Sequence, residues 1–457
     1  MKIKGNLELA KKELLANKNN AVAYVFKDAK LNNSKGLLAN CVFTIKDNFA
    51  DKNVIARASS LFLETFKPSY KATCLELLEA AGATCVGRTN LDEFGLGGSG
   101  EHSAYGKIFH PKNNEYLVGG SSSGAAATFT NAISFAIGSD TGDSVRKPAS
   151  NIGVVGFKPS YGAVSRYGMF AFASSLDTVS YFTHNVSDLI LLSSVLYKQD
   201  RKHDLTSENL EFNYNDIKLV KPKTVAYLDC FNELEPSVKE AYQNIINKLQ
   251  KENVKLIKVS EDKILLKSID TIYRIIAFSE ASSNLSNLTN ITFGQKLNDS
   301  WVKNAFESRS KKIGKMAQAR LILGSYFLEK DNQIKYFVQA KKIRNYLKEY
   351  FTNIHTQADI FIYPASYDSA PKINKKQKST YMDYILTYAN LVGNPSMTIK
   401  LGKNKNNGLP FNLTIDAKIY NDTKLFSHAL YIEELIGDQN EYLRISYRNW
   451  NSHWVKY

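Results

Sequence analysis

The sequence predicts an α/β protein. Three observations carry this: short apolar runs alternate with helical spacings, Gly82 stops a helix just before a strand-like run, and the same rhythm returns after residue 224. Residues 1–40 open with leucines at 7, 9, 14 and 15 in an amphipathic helical pattern and continue into a polar stretch. Residues 41–45 read as a short buried strand. Residues 73–81 space their leucines as a helix, Gly82 is a natural C-terminal stop, and residues 83–86 return to strand character. Later, 224–228 reads as a strand, 237–250 as an amphipathic helix and 254–259 as another strand. Helical patterns dominate from about 265 to 350. Residues 442–457 are aromatic and basic without periodicity and read as a tail, and there is no internal repeat.

Composition narrows the class. With 457 residues, 44% of them hydrophobic, the chain can fill a sizeable core. Cys41, Cys74, Cys85 and Cys230 are widely spaced and form no CxxC pair, which suggests reduced thiols and argues against structural zinc. No run approaches the ~18 apolar residues of a membrane span, and the first ten residues lack a signal-peptide core, so a cytoplasmic protein is expected. A formal charge of +15 invites a nucleic-acid reading. The lysines are scattered rather than clustered, however, which favours a partner that carries nucleic acid over direct binding by this chain.

Glycine and serine become dense between 87 and 180, yet apolar residues stay interleaved, unlike a flexible linker. The densest block runs GGSSSG (119–124), then an alanine-rich segment, then GSDTGDSVRKP (138–148). Residues 120–124 satisfy the GxSxG of a hydrolase elbow, but the preceding residues 111–116 are too polar for the strand that elbow needs. Asp140-Thr141-Gly142 matches an aspartic-protease loop, but two such carboxylates must share a proton and the chain has one copy. A third reading joins both serine clusters to Lys46. A serine hydroxyl needs a base, which a lysine can supply if burial keeps its amine neutral. That requires bringing its pKa from ~10.4 to ~7 or 8, at a cost of ~4 kcal/mol. Lys46 follows an apolar strand, so its stem can start at the edge of a core.

Taken together, IKDN (45–48), the GGSS block and SDTGDSVRKP (139–148), in this order and spacing, resemble the amidase signature family, which uses a Ser-Ser-Lys triad. The resemblance implies Ser144 as nucleophile, Ser121 as bridging serine and Lys46 as base. GRTNLDEF (87–94), SAYG (103–106), GVVGFKP (153–159), VSRYG (164–168) and AFASSLD (171–177) are similar to one branch of that family, the A subunits of glutamyl-tRNA(Gln)/aspartyl-tRNA(Asn) amidotransferases. SEASSNL (279–285) and RLILG (320–324) point to the same branch, and the likeness covers roughly residues 20–435.

The resemblance implies the amidase-signature fold, a mixed central sheet covered by helices on both faces. It would occupy one domain over residues 1–440 with a short helical region at about 1–35, followed by the tail at 441–457. It also implies glutamine as substrate, with Tyr273, Arg320 and Asp383 holding its α-amino and α-carboxylate groups. An arginine suits the carboxylate and a carboxylate suits the ammonium. Backbone N–H groups of Thr141, Gly142, Asp143 and Ser144 are the candidate oxyanion donors. No cofactor or metal is implied in this chain. ATP and magnesium belong to a partner, and the expected partners are the B and C subunits of the amidotransferase, with misacylated tRNA bound mainly by a partner.

The chain departs from the family pattern at named places. Asp143 stands where a second glycine is usual, the glycine-serine block is one residue short after Ser122, Val118 replaces a customary proline, and residues 290–294 lack the expected Arg-Tyr-Gly. A stand-alone amidase for another small carboxamide and a catalytically silent scaffold protein therefore stay open beside the glutaminase reading.

Overall fold

In a computed structural model, described for all residues except 33–34, 292, 295–296, 298, 375–379 and 438–457, eleven strands form a single sheet. They are β1 (Val22–Val25), β2 (Val42–Lys46), β3 (Thr84–Thr89), β4 (Phe135–Asp140), β5 (Val155–Lys158), β6 (Thr178–Thr183), β7 (Thr224–Leu228), β8 (Lys255–Val259), β9 (Ile360–Pro364), β10 (Ser396–Lys403) and β11 (Pro410–Asp416). Their spatial order is β1-β3-β2-β4-β6-β5-β10-β11-β9-β7-β8. β2 runs parallel to both β3 and β4, and β7 runs parallel to both β8 and β9. The strands between these groups pair antiparallel. The sheet is therefore mixed, as expected.

Every residue of β2, β4, β6, β9 and β11 is buried. Because side chains alternate between faces, both faces of the sheet must be covered, and helices cover them. The helices follow the expected spacings closely. Thr73–Ala80 buries Cys74, Leu75 and Leu78 and ends ahead of Gly82, which takes a left-handed φ of 95°. Pro236–Lys251 begins with proline at its first position and buries Val238, Tyr242, Ile245, Ile246 and Leu249. The long helix Lys263–Asn284 buries Leu265, Leu266, Ile269, Ile272 and Ile276, one stripe at three- and four-residue intervals.

The N-terminal region is helical only in part: Leu7–Leu15 forms a helix, and Val22–Val25 then becomes the edge strand β1. The apolar-polar contrast there is too weak to distinguish a short edge strand from loop. The four cysteines are unpaired. No helix among the described residues is long and apolar enough to cross a membrane. The aromatic, basic tail at 441–457 lies outside the described residues.

Candidate active site

β2, β3 and β4 are parallel neighbours, so their C-terminal ends open on the same side of the sheet, where ligand sites of parallel sheets gather. Lys46 is the last residue of β2, the turn at residues 90–95 leaves β3, and the turn at residues 141–144 leaves β4. Lys46 is 0% exposed. Its Nζ lies 2.8 Å from Ser121 Oγ, 2.9 Å from Ser139 Oγ and 3.3 Å from Ser139 O. Asn48 Nδ2 donates to the same Ser139 Oγ at 3.1 Å. Burial brings the Lys46 pKa down to about 7, against the pull of Asp92, Asp140 and Asp177. A neutral amine has two N–H bonds and one lone pair. With Ser139 offering two acceptors, the lone pair is left for the Ser121 hydroxyl.

Two buried ion pairs hold this geometry. Beside Lys46, Asp47 accepts from Arg88 Nε at 2.7 Å and from the Arg57 N–H at 2.9 Å. Beyond β4, Asp140 and Arg146, both 0% exposed, pair at 2.9 Å. Arg146 also donates to Gly142 O at 2.8 Å, Asn390 Oδ1 at 2.7 Å, Leu386 O at 2.7 Å and Ser396 Oγ at 3.0 Å. Asp140 Oδ2 accepts from the N–H of Val145 at 3.0 Å, and Thr141 Oγ1 donates to Asp177 at 2.7 Å.

The turn at 141–144 is thus fixed through its carbonyl and flanking side chains. Among the described residues, nothing accepts from the N–H groups of Thr141, Gly142, Asp143 or Ser144. Unspent donors on a rigid turn are what an oxyanion requires. Ser144, 5% exposed, sits on this turn with its hydroxyl in no hydrogen bond among the described residues. Its carbonyl accepts from the Ser122 N–H at 3.1 Å, which places the two serine segments side by side. The Gly120–Ser121 peptide bond is cis.

Of the residues expected to recognise substrate, Tyr273 lies against this turn. Tyr273, on the helix Lys263–Asn284, packs over Gly142 so closely that a β-carbon there would come within 3.1 Å of its ring. Arg320 lies on the helix Lys315–Leu328 with its guanidinium 5.1 Å from the centre of the Phe278 ring. Its charge acts on Tyr273. Burial lowers the Arg320 pKa, and no carboxylate among the described residues forms an ion pair with it. Asp383 is half-buried and, among the described residues, accepts only from the Thr380 N–H, at 3.2 Å, while burial raises its pKa. Asp143 is also half-buried without a hydrogen-bond partner for its carboxyl among the described residues, and burial pushes its pKa up to about 7 against the nearby Lys147.

Lys46 and Ser121 are therefore joined directly, Ser144 sits on the neighbouring turn, and Tyr273 lies over that turn. Asn48, Ser139, Asp92, Asp140, Arg146, Asp177 and Asn390 carry no role that the sequence alone reveals. Ser139 meets Lys46 because β2 and β4 pair in register, Ile45 opposite Ile137. Such a pairing between strands some ninety residues apart leaves no local signal.

The Amidase family model matches residues 2–426. The chain is 38% identical over 450 residues to the A subunit of glutamyl-tRNA(Gln) amidotransferase from Mycoplasma genitalium, covering 95% of this chain and 94% of that one. The corresponding protein of Mycoplasma pneumoniae is 37% identical, with 92% and 91% covered. A crystal structure of the same amidotransferase component from Thermotoga maritima superposes with a TM-score of 0.77 at 29% identity, covering 94% and 91%. The peptide amidase of Stenotrophomonas maltophilia shares the fold at 21% identity, with a TM-score of 0.75 over 94% and 92%.

Proposed function

Because the chain belongs to the amidase family, and within it to the glutamyl-tRNA(Gln) amidotransferase A subunits, we propose that it hydrolyses the side-chain amide of glutamine to supply ammonia. The partner B and C subunits, with ATP and magnesium bound in the partner, use that ammonia to convert Glu-tRNA(Gln), Asp-tRNA(Asn) or both to Gln-tRNA(Gln) and Asn-tRNA(Asn). The complex is a cytoplasmic heterotrimer, and misacylated tRNA contacts mainly the partner. The observation that carries the reading is the buried Lys46 amine, 2.8 Å from Ser121 and brought down to about 7.

Neutral Lys46 takes the Ser121 proton while Ser121 takes the Ser144 proton, and Ser144 Oγ attacks the carboxamide carbon. The resulting oxyanion is met by the free N–H groups of residues 141–144. As the C–N bond breaks, Ser121 passes a proton to the leaving nitrogen, which departs as ammonia. Water then hydrolyses the ester on Ser144 and releases glutamate, with the same two groups shuttling its proton. Arg320 pairs with the α-carboxylate, Asp383 with the α-ammonium, and Tyr273 shapes the site over Gly142.

Reconstitution with the B and C subunits, ATP and misacylated tRNA tests the reading. Glutamine-dependent amidation that is lost in Ser144→Ala and restored by added ammonium salt is the expected result. Amidation that persists with glutamine in the variant would overturn it.

A further inference from the structure

The helix Lys315–Leu328, which carries Arg320, begins without a cap of its own. Its N-cap residue is Gly314, and the position whose side chain would reach back in a capping box is occupied by Ala317. The missing acceptor comes from elsewhere. Glu93 Oε2 accepts from the Gly314 N–H at 2.7 Å, while Glu93 Oε1 accepts from the Ser60 hydroxyl. Glu93 is 2% exposed, so this contact replaces solvent at the helix end. A β-carbon at Gly314 would lie 2.6 Å from Glu93 Oε2 and would push the carboxyl off this contact. One turn beyond Arg320 on the same helix, Gly324 packs against the backbone of Phe278, and Phe278 also underlies Arg320. Arg320 is held between these two anchor points.

Glu93 also belongs to the turn that packs on the bridging serine. The adjacent Asp92 N–H donates to Ser121 O at 3.3 Å, and a β-carbon at Gly95 would lie 3.7 Å from Ser121 Oγ. The Glu93 N–H itself donates to His102 O at 3.0 Å. An unbroken chain of contacts therefore runs from Ser121 through Asp92 and Glu93 to Gly314 and Arg320.

We infer that Glu93 is a positioning residue that caps the Arg320 helix from the serine turn and so sets where the substrate's α-carboxylate is held relative to Ser121. The inference rests on the proposal that Arg320 binds that carboxylate. Burial pushes the Glu93 carboxyl up to about 7, and charged or neutral its Oε2 accepts from the Gly314 N–H and fixes the helix in place. The consequence is selective: loosening the cap harms a substrate that uses Arg320 and spares one that does not.

The test compares glutamine with 4-aminobutanamide, which keeps the carboxamide and the amine but lacks the carboxylate, using the reconstituted complex. Glu93→Ala is expected to raise KM for glutamine about tenfold with kcat within about threefold, and to leave kcat/KM for 4-aminobutanamide unchanged. Glu93→Gln, whose amide oxygen still accepts from Gly314, recovers most of the loss. Where Glu93→Ala does not fold, Gly314→Ala displaces the cap from the other side and carries the same expectation. Equal losses on both substrates, or no change on either, overturn the inference. Arg320→Ala is the control: if it discriminates between the substrates and the Glu93 and Gly314 variants do not, the inference alone fails. If Arg320→Ala does not discriminate, the recognition role of Arg320 fails and the inference falls with it.

Discussion

The two sides of the site are built on opposite plans. Around Lys46, each group that fixes the base has a protein partner: Ser121 and Ser139 meet the amine, Arg88 pairs with Asp47 and Arg146 with Asp140. By contrast, among the described residues Arg320 has no ion-pair partner and Asp383 keeps one backbone contact. Partly buried charges without partners carry a desolvation cost that a ligand of opposite charge can offset. On the proposed reading, the base is positioned by protein contacts before substrate arrives, and Arg320 and Asp383 are left for the substrate to pair.

The largest expected effect is at Ser144. Ser144→Ala should reduce glutamine hydrolysis by about 10⁴-fold or more while leaving the melting temperature within ~2 °C, because its hydroxyl supports no hydrogen bond among the described residues. Activity within about tenfold of the parent, read as ammonia release, would remove Ser144 from the chemistry.

Next in size is Lys46→Arg, expected to cost about 10³-fold in kcat, since a guanidinium cannot act as a base near neutral pH. The pH dependence follows from the same amine. The active form is the neutral one, so activity falls as pH drops through about 7 and levels off above it. An acid limb of kcat/KM centred near the ordinary carboxylate range instead would exclude Lys46 as the base.

Arg320→Ala and Asp383→Asn probe the open side and should be milder in kcat. Each is expected to raise KM for glutamine by about 10- to 100-fold, because each removes one charge-assisted contact to the substrate. A kcat loss as large as that of Lys46→Arg would mean that the two sides are not separate in function.

How far the sequence reaches differs between the two sides as well. The α/β alternation is legible at residues 73–86 and 224–259 because apolar spacing is a local property. β4 and β6 are not, since β4 reads as glycine and serine at its end and its burial comes from neighbours distant in the chain. Lys46 and Ser121 are legible as motif positions. Their hydrogen bond, the acceptors at Ser139 and the Asp140–Arg146 clamp depend on strand register, which no motif states. Glu93 is visible only as part of a motif string, because its partner Gly314 lies 221 residues away.

Asp143 is the residue that fits neither plan, and the smallest expected effect belongs to it. It precedes Ser144 in the chain, has no hydrogen-bond partner for its carboxyl among the described residues, and lies on the turn proposed to supply the oxyanion donors. With its pKa pushed up to about 7, it is neutral below that pH and charged above it. Only the charged form opposes an oxyanion. Asp143→Gly should therefore not lower kcat at any pH. It should match the parent near pH ~6 and exceed it by about threefold near pH ~8.5, less than ~1 kcal/mol of barrier. Lys46 titrates in the same range, but Asp143 is not among the charges that act on it, so the ratio of variant to parent cancels the lysine's own limb. A ratio that falls below one as pH rises would make the ionised carboxylate a participant, most simply in holding the substrate's ammonium beside Asp383.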